Sequence, residues 1–485
     1  MKIRRAFVQM LIARQVSVLV MALALMVLGR LLTPEEFGLF AMATAVTGIV
    51  EVLARFGIPA QLIRLPRMTA GDLRAGQGLA LCLGLGAAAL LMLGAWLLPT
   101  TLWPEGVRPI LVLLATTLPV LAVIDTLEAA FNRDLQVDML ARLTVLRQIV
   151  ESLAAVILAL AGFGAVALAA GLVAQRLTGM AGLLWISRHR HGFRPAFGGW
   201  RPFGRFARAH LGSGLATTVG DAGAVFVLSR ALGLDILGQF NRAKRVVSLL
   251  DDVLLTGLQP VVLPAISRSL DAGIGRDRVY LTKTEYLAGL CWPGFAFIAL
   301  MADEIVLLVM GAQWEAAVPA VRILALAGLV LPLTKMSVNL FVALDAAGLY
   351  TRIQSAHQVM RVGFLALGAL VSLEAACLGE ALSSYIKAAV ISVVLKRRTG
   401  YSSGAMGRVL GRAAVVTGLT LLGPALVQLL LQDWPGPGRL ALAVVLATVG
   451  WIAGAALSRH GLLPEILMAL GATGVAARLR PEPAV

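Results

Sequence analysis

Nine basic side chains stand inside long apolar stretches of this sequence: Arg14, Arg55, Arg176, Arg242, Lys244, Arg245, Arg322, Lys335 and Lys387. A charge inside an apolar span is costly, so such residues pair with one another or face a polar cavity. A guanidinium can hold a phosphate through two parallel hydrogen bonds. Arg14, Arg55, Arg322, Lys335, Arg242 and Arg245 are therefore candidates to line a cationic cavity for an anionic group. The alternative for each is a snorkelling side chain or a structural ion pair. Arg14, Arg55 and Arg242 lie near span ends, where snorkelling is easiest.

Acids within or near these stretches are Glu51, Asp125, Glu128, Glu151, Asp221, Asp251, Asp252 and Asp345. Asp221 has no base within a helical turn of sequence and sits among Gly, Ala and Thr. It is a candidate for binding an ion or a sugar hydroxyl. Glu51 is a second candidate for ion coupling, although its spacing of four from Arg55 predicts an ion pair on one helix face. Asp251 and Asp252 are adjacent, so they cannot both face one side of a helix.

The elements that carry these groups are membrane spans. The chain has 485 residues, of which 59% are hydrophobic and only 14% charged. A soluble domain carries about a quarter charged residues, so lipid must solvate much of this surface. Stretches of roughly 20 apolar residues predict about fourteen helices, from 11–31 to 438–457. With the N-terminus inside, Lys and Arg concentrate in alternate loops, as cytoplasmic loops do. The largest group is Arg188, Arg190, Arg194, Arg201, Arg205 and Arg208. The opposite loops hold only Arg30, Arg108, Arg230 and Arg439. This bias explains the net charge of +16 without nucleic acid as a partner, and predicts that both termini are cytoplasmic.

An internal repeat orders the spans. Residues 30–43 read RLLTPEEFGLFAMA and residues 230–243 read RALGLDILGQFNRA. At this offset Arg30 aligns with Arg230, Leu32 with Leu232, Gly38 with Gly238, Phe40 with Phe240 and Ala43 with Ala243. Six helices separate the copies, so both run the same way. The expected architecture is all-α and integral to the membrane: two pseudo-repeated six-helix lobes around a central cavity, plus two C-terminal helices. The expected boundaries are 1–190 for the first lobe, 191–206 for a cytoplasmic linker, 207–400 for the second lobe, and 401–485 for the extra pair and tail. A duplicated design of this kind places its binding site at the repeat interface near mid-membrane.

Enzymatic chemistry has no evident place in the sequence. A GxxxxGK[ST] phosphate loop is missing. The cysteines Cys82, Cys291 and Cys377 fall singly in apolar segments, and the five histidines make no metal or catalytic constellation. No catalytic residue, metal site or cofactor is expected. A proton or sodium gradient is left open as a driving force. The run RHRHGFRP at 188–195 could contact anionic lipid, although topology already accounts for it.

Three stretches resemble a known family: LTPEEFGLFAMATAVTGIVEVLARFGIPAQLIR at 32–64, GLQPVVLPAISR at 257–268, and ADEIVLLVMGAQWEAAVPAVRILAL at 302–326. They resemble the Wzx-type oligosaccharide-lipid flippases of the multidrug/oligosaccharidyl-lipid/polysaccharide exporter superfamily, and most of all its exopolysaccharide branch. The resemblance implies a bacterial inner-membrane protein that moves a polyprenyl-diphosphate-linked oligosaccharide to the outer leaflet. Its partners would be that lipid-linked cargo, membrane lipids, and the polysaccharide polymerase and export machinery. The superfamily also holds ion-coupled drug exporters, which remain the alternative. A membrane glycosyltransferase or polymerase is the less favoured third reading, because the outer loops are too short to house a catalytic domain.

Overall fold

The computed structural model describes residues 2–65, 68–97, 104, 106–134, 137–188, 192–254, 275–335 and 337–463. Among these residues it is all-helical. The stretch 257–268 and the C-terminal stretch beyond residue 463 lie outside them.

The chain divides into two compact units, Met1–Asn241 and Arg242–Val485. The first holds α1 (Lys2–Leu31), α2 (Pro34–Arg55), α3 (Ile58–Arg64), α4 (Ala70–Leu97), α5 (Val107–Ala115), α6 (Leu118–Arg133), α7 (Val137–Leu160), α8 (Ala165–Ser187) and α9 (Arg201–Ala231). Helix α10 (Gly233–Leu254) begins in the first unit and continues into the second. The second unit continues with α11 (Arg276–Leu300), α12 (Ala302–Val309), α13 (Val318–Ala327), α14 (Leu331–Thr334), α15 (Ser337–Ala343), α16 (Ala347–Ala369), α17 (Leu373–Thr399), α18 (Ser403–Leu430) and α19 (Gly436–Leu457).

Among the described residues, eight helices are long and apolar enough to cross a membrane, and ten if each of two bent pairs is one span. This is a multi-pass membrane protein. The count of about fourteen is therefore not reached: the remaining expected spans overlap α1, α9, α10 and α16, which are helical but fall short of that test, and residues 255–264 of the expected span 241–264 lie outside the described residues. One bend, of 43°, joins α5 to α6 where Pro119 enters the helix; the other, of 74°, joins α11 to the short α12. Proline accounts for the first bend, since it removes a backbone donor. Large apolar side chains such as Val359, Leu367, Leu370 and Val371 on or just after α16 are more than 60% exposed, as a lipid-facing sheath requires.

The TPEE stretch starts α2 by ordinary capping chemistry. Thr33 Oγ1 accepts from Glu36 N at 3.3 Å, and Glu36 Oε2 accepts from Thr33 N at 2.7 Å. Each side chain thus satisfies an amide that the helix leaves open. At the other end Phe56 and Gly57 take positive φ, 45° and 68°, and turn the chain into α3.

The offset repeat has a physical counterpart. A Cβ on Gly38 would lie 3.2 Å from Leu234 Cα and overlap the Leu234 carbonyl; a Cβ on Gly238 would lie 3.1 Å from Pro34 Cα and overlap the Pro34 carbonyl. Positions 34 and 234, and 38 and 238, are aligned pairs of the repeat. The two helix starts therefore exchange equivalent contacts, as copies related by a local two-fold axis do.

The segment expected as a linker is held to the first unit, where Ala196 N donates to Arg74 O at 2.8 Å. Trp314, in the third of the family-like stretches, is fully buried, seated after the turn at Gly311.

Candidate functional site

In the first unit the charges form pairs between helices. Glu51 and Arg55 stand one turn apart on α2 but do not bond each other. Glu51 accepts from Arg176 of α8, and Arg55 Nε donates to Asp125 Oδ2 of α6 at 2.8 Å. Arg176 also donates to Thr117 Oγ1. The expected intrahelical pair is thus replaced by two cross-helix pairs, which neutralise four charges rather than two. Arg147 of α7 meets Glu128 of α6 at 2.6 Å. Glu151 accepts from Gln148 at 3.2 Å and from Gln175. Arg55 and Asp125 line a pocket of about 10 Å³, room for about one water. Asp221 is exposed on α9. Arg14 lies on α1, and its side chain is outside the described residues.

The second unit is built differently. Two glycines set α16 close against α17: a Cβ on Gly379 would strike the Phe364 carbonyl, and one on Gly368 the Ala375 carbonyl. Small residues permit such backbone approach in membranes. It brings Glu380 beside Arg361, whose Nη1 donates to Glu380 Oε1 at 3.2 Å and whose Nε donates to Gln358 Oε1 at 2.9 Å. Lys244 of α10 reaches the same Glu380 oxygen at 3.6 Å. Two cations thus share one carboxylate.

Asp251 and Asp252 diverge as adjacent helical residues must. Asp251 accepts from Lys335, and Asp252 pairs with Arg245 at 3.3 Å. Arg242 is half-buried on the same helix. Lys283 of α11 donates to Lys335 O at 3.1 Å and to Ser337 Oγ at 3.5 Å, with Tyr280's ring centroid 4.9 Å away. No carboxylate reaches Lys283 or Lys387 among the described residues. Arg322 and Asp303 pair where both are close to half exposed, 47% and 46%, so this pair is screened by solvent.

Glu380, Arg361, Arg147 and Lys283 are not among the sequence-derived candidates. Arg361 is 5% exposed within α16. The overlooked signal was Glu380 itself, an acid in an apolar stretch with no base within a turn on its own helix. Such an acid requires a partner from another helix.

The arrangement can do one kind of work. It provides cations on several helices, most of them paired with carboxylates, and two part-buried lysines, Lys283 and Lys387, with no carboxylate among the described residues. The sequence pattern defining the polysaccharide biosynthesis protein family matches residues 27–319. The chain belongs to that family. The matched range includes both repeat copies and the in-span charges of α2, α6, α8 and α10. The succinoglycan biosynthesis transport protein ExoT of Rhizobium meliloti (strain 1021) is 25% identical over 300 residues, 62% of this chain and 61% of that protein. The chain spans about three fifths of the length of this curated relative. Among solved structures, the lipid II flippase MurJ in an inward closed conformation superposes with a TM-score of 0.75 at 9% identity, over 94% of this chain and 100% of that one. An inward-facing multidrug resistance MATE family transporter of the MOP superfamily gives 0.63 at 16% identity, over 80% and 98%. These likenesses establish the fold that the charges occupy.

Proposed function

We propose that this protein moves a polyprenyl-diphosphate-linked oligosaccharide repeat unit from the cytoplasmic to the outer leaflet, for surface or exopolysaccharide assembly. It does so by alternating access of two repeated lobes, without chemical conversion of the cargo. It resides in a bacterial inner membrane with both termini cytoplasmic.

The carrying observation lies in the second unit: Lys283 and Lys387 have no carboxylate among the described residues, and Lys283 bonds only backbone and hydroxyl oxygens there. Cations inside spans mark cargo or ion pathways, and a diphosphate is the counter-ion this set lacks. Its sugars would hydrogen-bond to polar side chains, and its polyprenyl tail can remain in lipid. The family membership, and the transport and flippase functions in the names of ExoT and MurJ, support the same reading. A cation-drug pocket is disfavoured because these lysines would repel such cargo. Coupling to a proton or sodium gradient would fall to the carboxylates of the first unit, Glu51 among them.

The test pairs export with folding. A Lys283→Gln/Lys387→Gln double variant should lower polysaccharide export at least about tenfold in a strain lacking the native gene. The purified protein should be at least as heat-stable as the parent, because removing uncompensated buried charge relieves the fold. Unchanged export, or a deletion strain that makes normal surface polysaccharide with no second flippase, refutes the proposal.

A further inference from the structure

Where α6 and α8 end and α4 begins, the first unit has an open cavity of about 390 Å³. Its lining includes Arg74, Arg133, Arg188 and Arg194, against one carboxylate, Asp134. The surrounding chain is firmly built. Gln77, fully buried on α4, clasps the loop that follows α8 with both ends of its amide. Its Nε2 donates to Gly192 O at 2.9 Å, and its Oε1 accepts from Arg194 N at 2.8 Å. A Cβ on Gly78 would strike the Ala196 carbonyl, so only glycine lets the loop lie this close. Arg133 Nη1 donates to Ile63 O at 3.1 Å and to Leu65 O, which ties it to the end of α3. Arg188 is held over the Trp185 ring, 5.2 Å from its centroid.

We propose that this cavity binds the phosphate of an anionic membrane phospholipid. Three span ends meet here, which sets it at the depth of lipid headgroups. By the loop-charge pattern this is the cytoplasmic side, where anionic lipid attracts clustered basic residues. The contacts of Gln77, Gly78 and Arg133 fix the chain around four basic side chains, and a guanidinium can hold phosphate oxygens through two parallel hydrogen bonds. The volume lies at the small end of ligand pockets and suits a headgroup. This site is separate from the span charges of the proposed transport path and does not depend on the identity of the cargo.

The experiment uses the full-length protein purified in a neutral detergent, with melting temperature followed as lipid is added. Short-chain phosphatidylglycerol should raise the melting temperature saturably. Phosphatidylcholine should not, and inorganic phosphate should need at least about tenfold higher concentration. Arg74→Gln/Arg194→Gln should weaken the phosphatidylglycerol response roughly tenfold or more, and Arg74→Lys/Arg194→Lys should retain most of it. Arg397→Gln/Arg398→Gln, which removes two exposed charges at the end of α17, should leave it unchanged. The proposal is overturned if Arg74→Gln/Arg194→Gln responds like the parent, or if the distant pair weakens the response as much. It is equally overturned if phosphatidylcholine or inorganic phosphate acts as well as phosphatidylglycerol.

Discussion

In Met1–Asn241, Arg55, Arg147 and Arg176 each meet a different carboxylate, whereas in Arg242–Val485 Lys244 and Arg361 share one and Lys283 and Lys387 reach none among the described residues. Both units sit in the same low-dielectric solvent, so the contrast is not one of surroundings. An uncompensated Lys or Arg at mid-span costs about 3 kcal/mol on insertion scales. The first unit avoids that cost with cross-helix pairs. The second also pairs Arg245, Lys335 and Arg412 with acids, but leaves Lys283 and Lys387 with no carboxylate among the described residues.

The largest effect should come from Glu380→Gln. It strips the shared acid from Lys244 and Arg361 at once, and breaking a buried pair costs about 3–5 kcal/mol. Thermal unfolding of the purified protein should show a clearly lower midpoint; an unchanged midpoint would mean that Glu380 does not hold these cations. Asp125→Asn in the first unit should cost less, about 1 kcal/mol, because its partner Arg55 is 46% exposed. Equal losses for the two variants would erase the contrast between the units.

The smallest effect concerns the second unit beyond its spans. His460 is buried after α19, beside the Arg412–Glu285 pair. Burial pushes its imidazole below the ordinary value, Arg412 acts in the same direction, and Glu285 opposes them. The unfolded chain therefore binds this proton more readily than the folded one. Stability from His460 is complete above about pH 6.5 and falls as pH drops below it. His460→Gln should flatten the melting-temperature profile between pH 7 and 5. A profile identical to the parent's would remove His460 as the cause.

Much of this was legible in the sequence. Helix positions followed from apolar length, because lipid imposes that length directly. The divergence of Asp251 and Asp252 followed from helical geometry. The pairing of charges did not follow. Spacing fixes neighbours on one helix, which is why Glu51 and Arg55 read as partners, but Arg55 finds Asp125 seventy residues away. Arg361 does not stand out in the sequence, and the glycine contacts of α16 with α17 are what reveal its partner. Tryptophan at the edge of an apolar stretch usually marks an interface, yet the turn at Gly311 folds Trp314 inward.

The reciprocal contact of Gly38 and Gly238 bears on how the duplicated halves can age. Each glycine faces the carbonyl of the residue aligned with the other's partner, so each copy is part of the other's environment. Elsewhere the two stretches are free to drift, and RLLTPEEF and RALGLDIL already differ at most positions. At this crossing a side chain gained by either copy collides with its twin's backbone. The place where the halves touch is where ancestry stays readable.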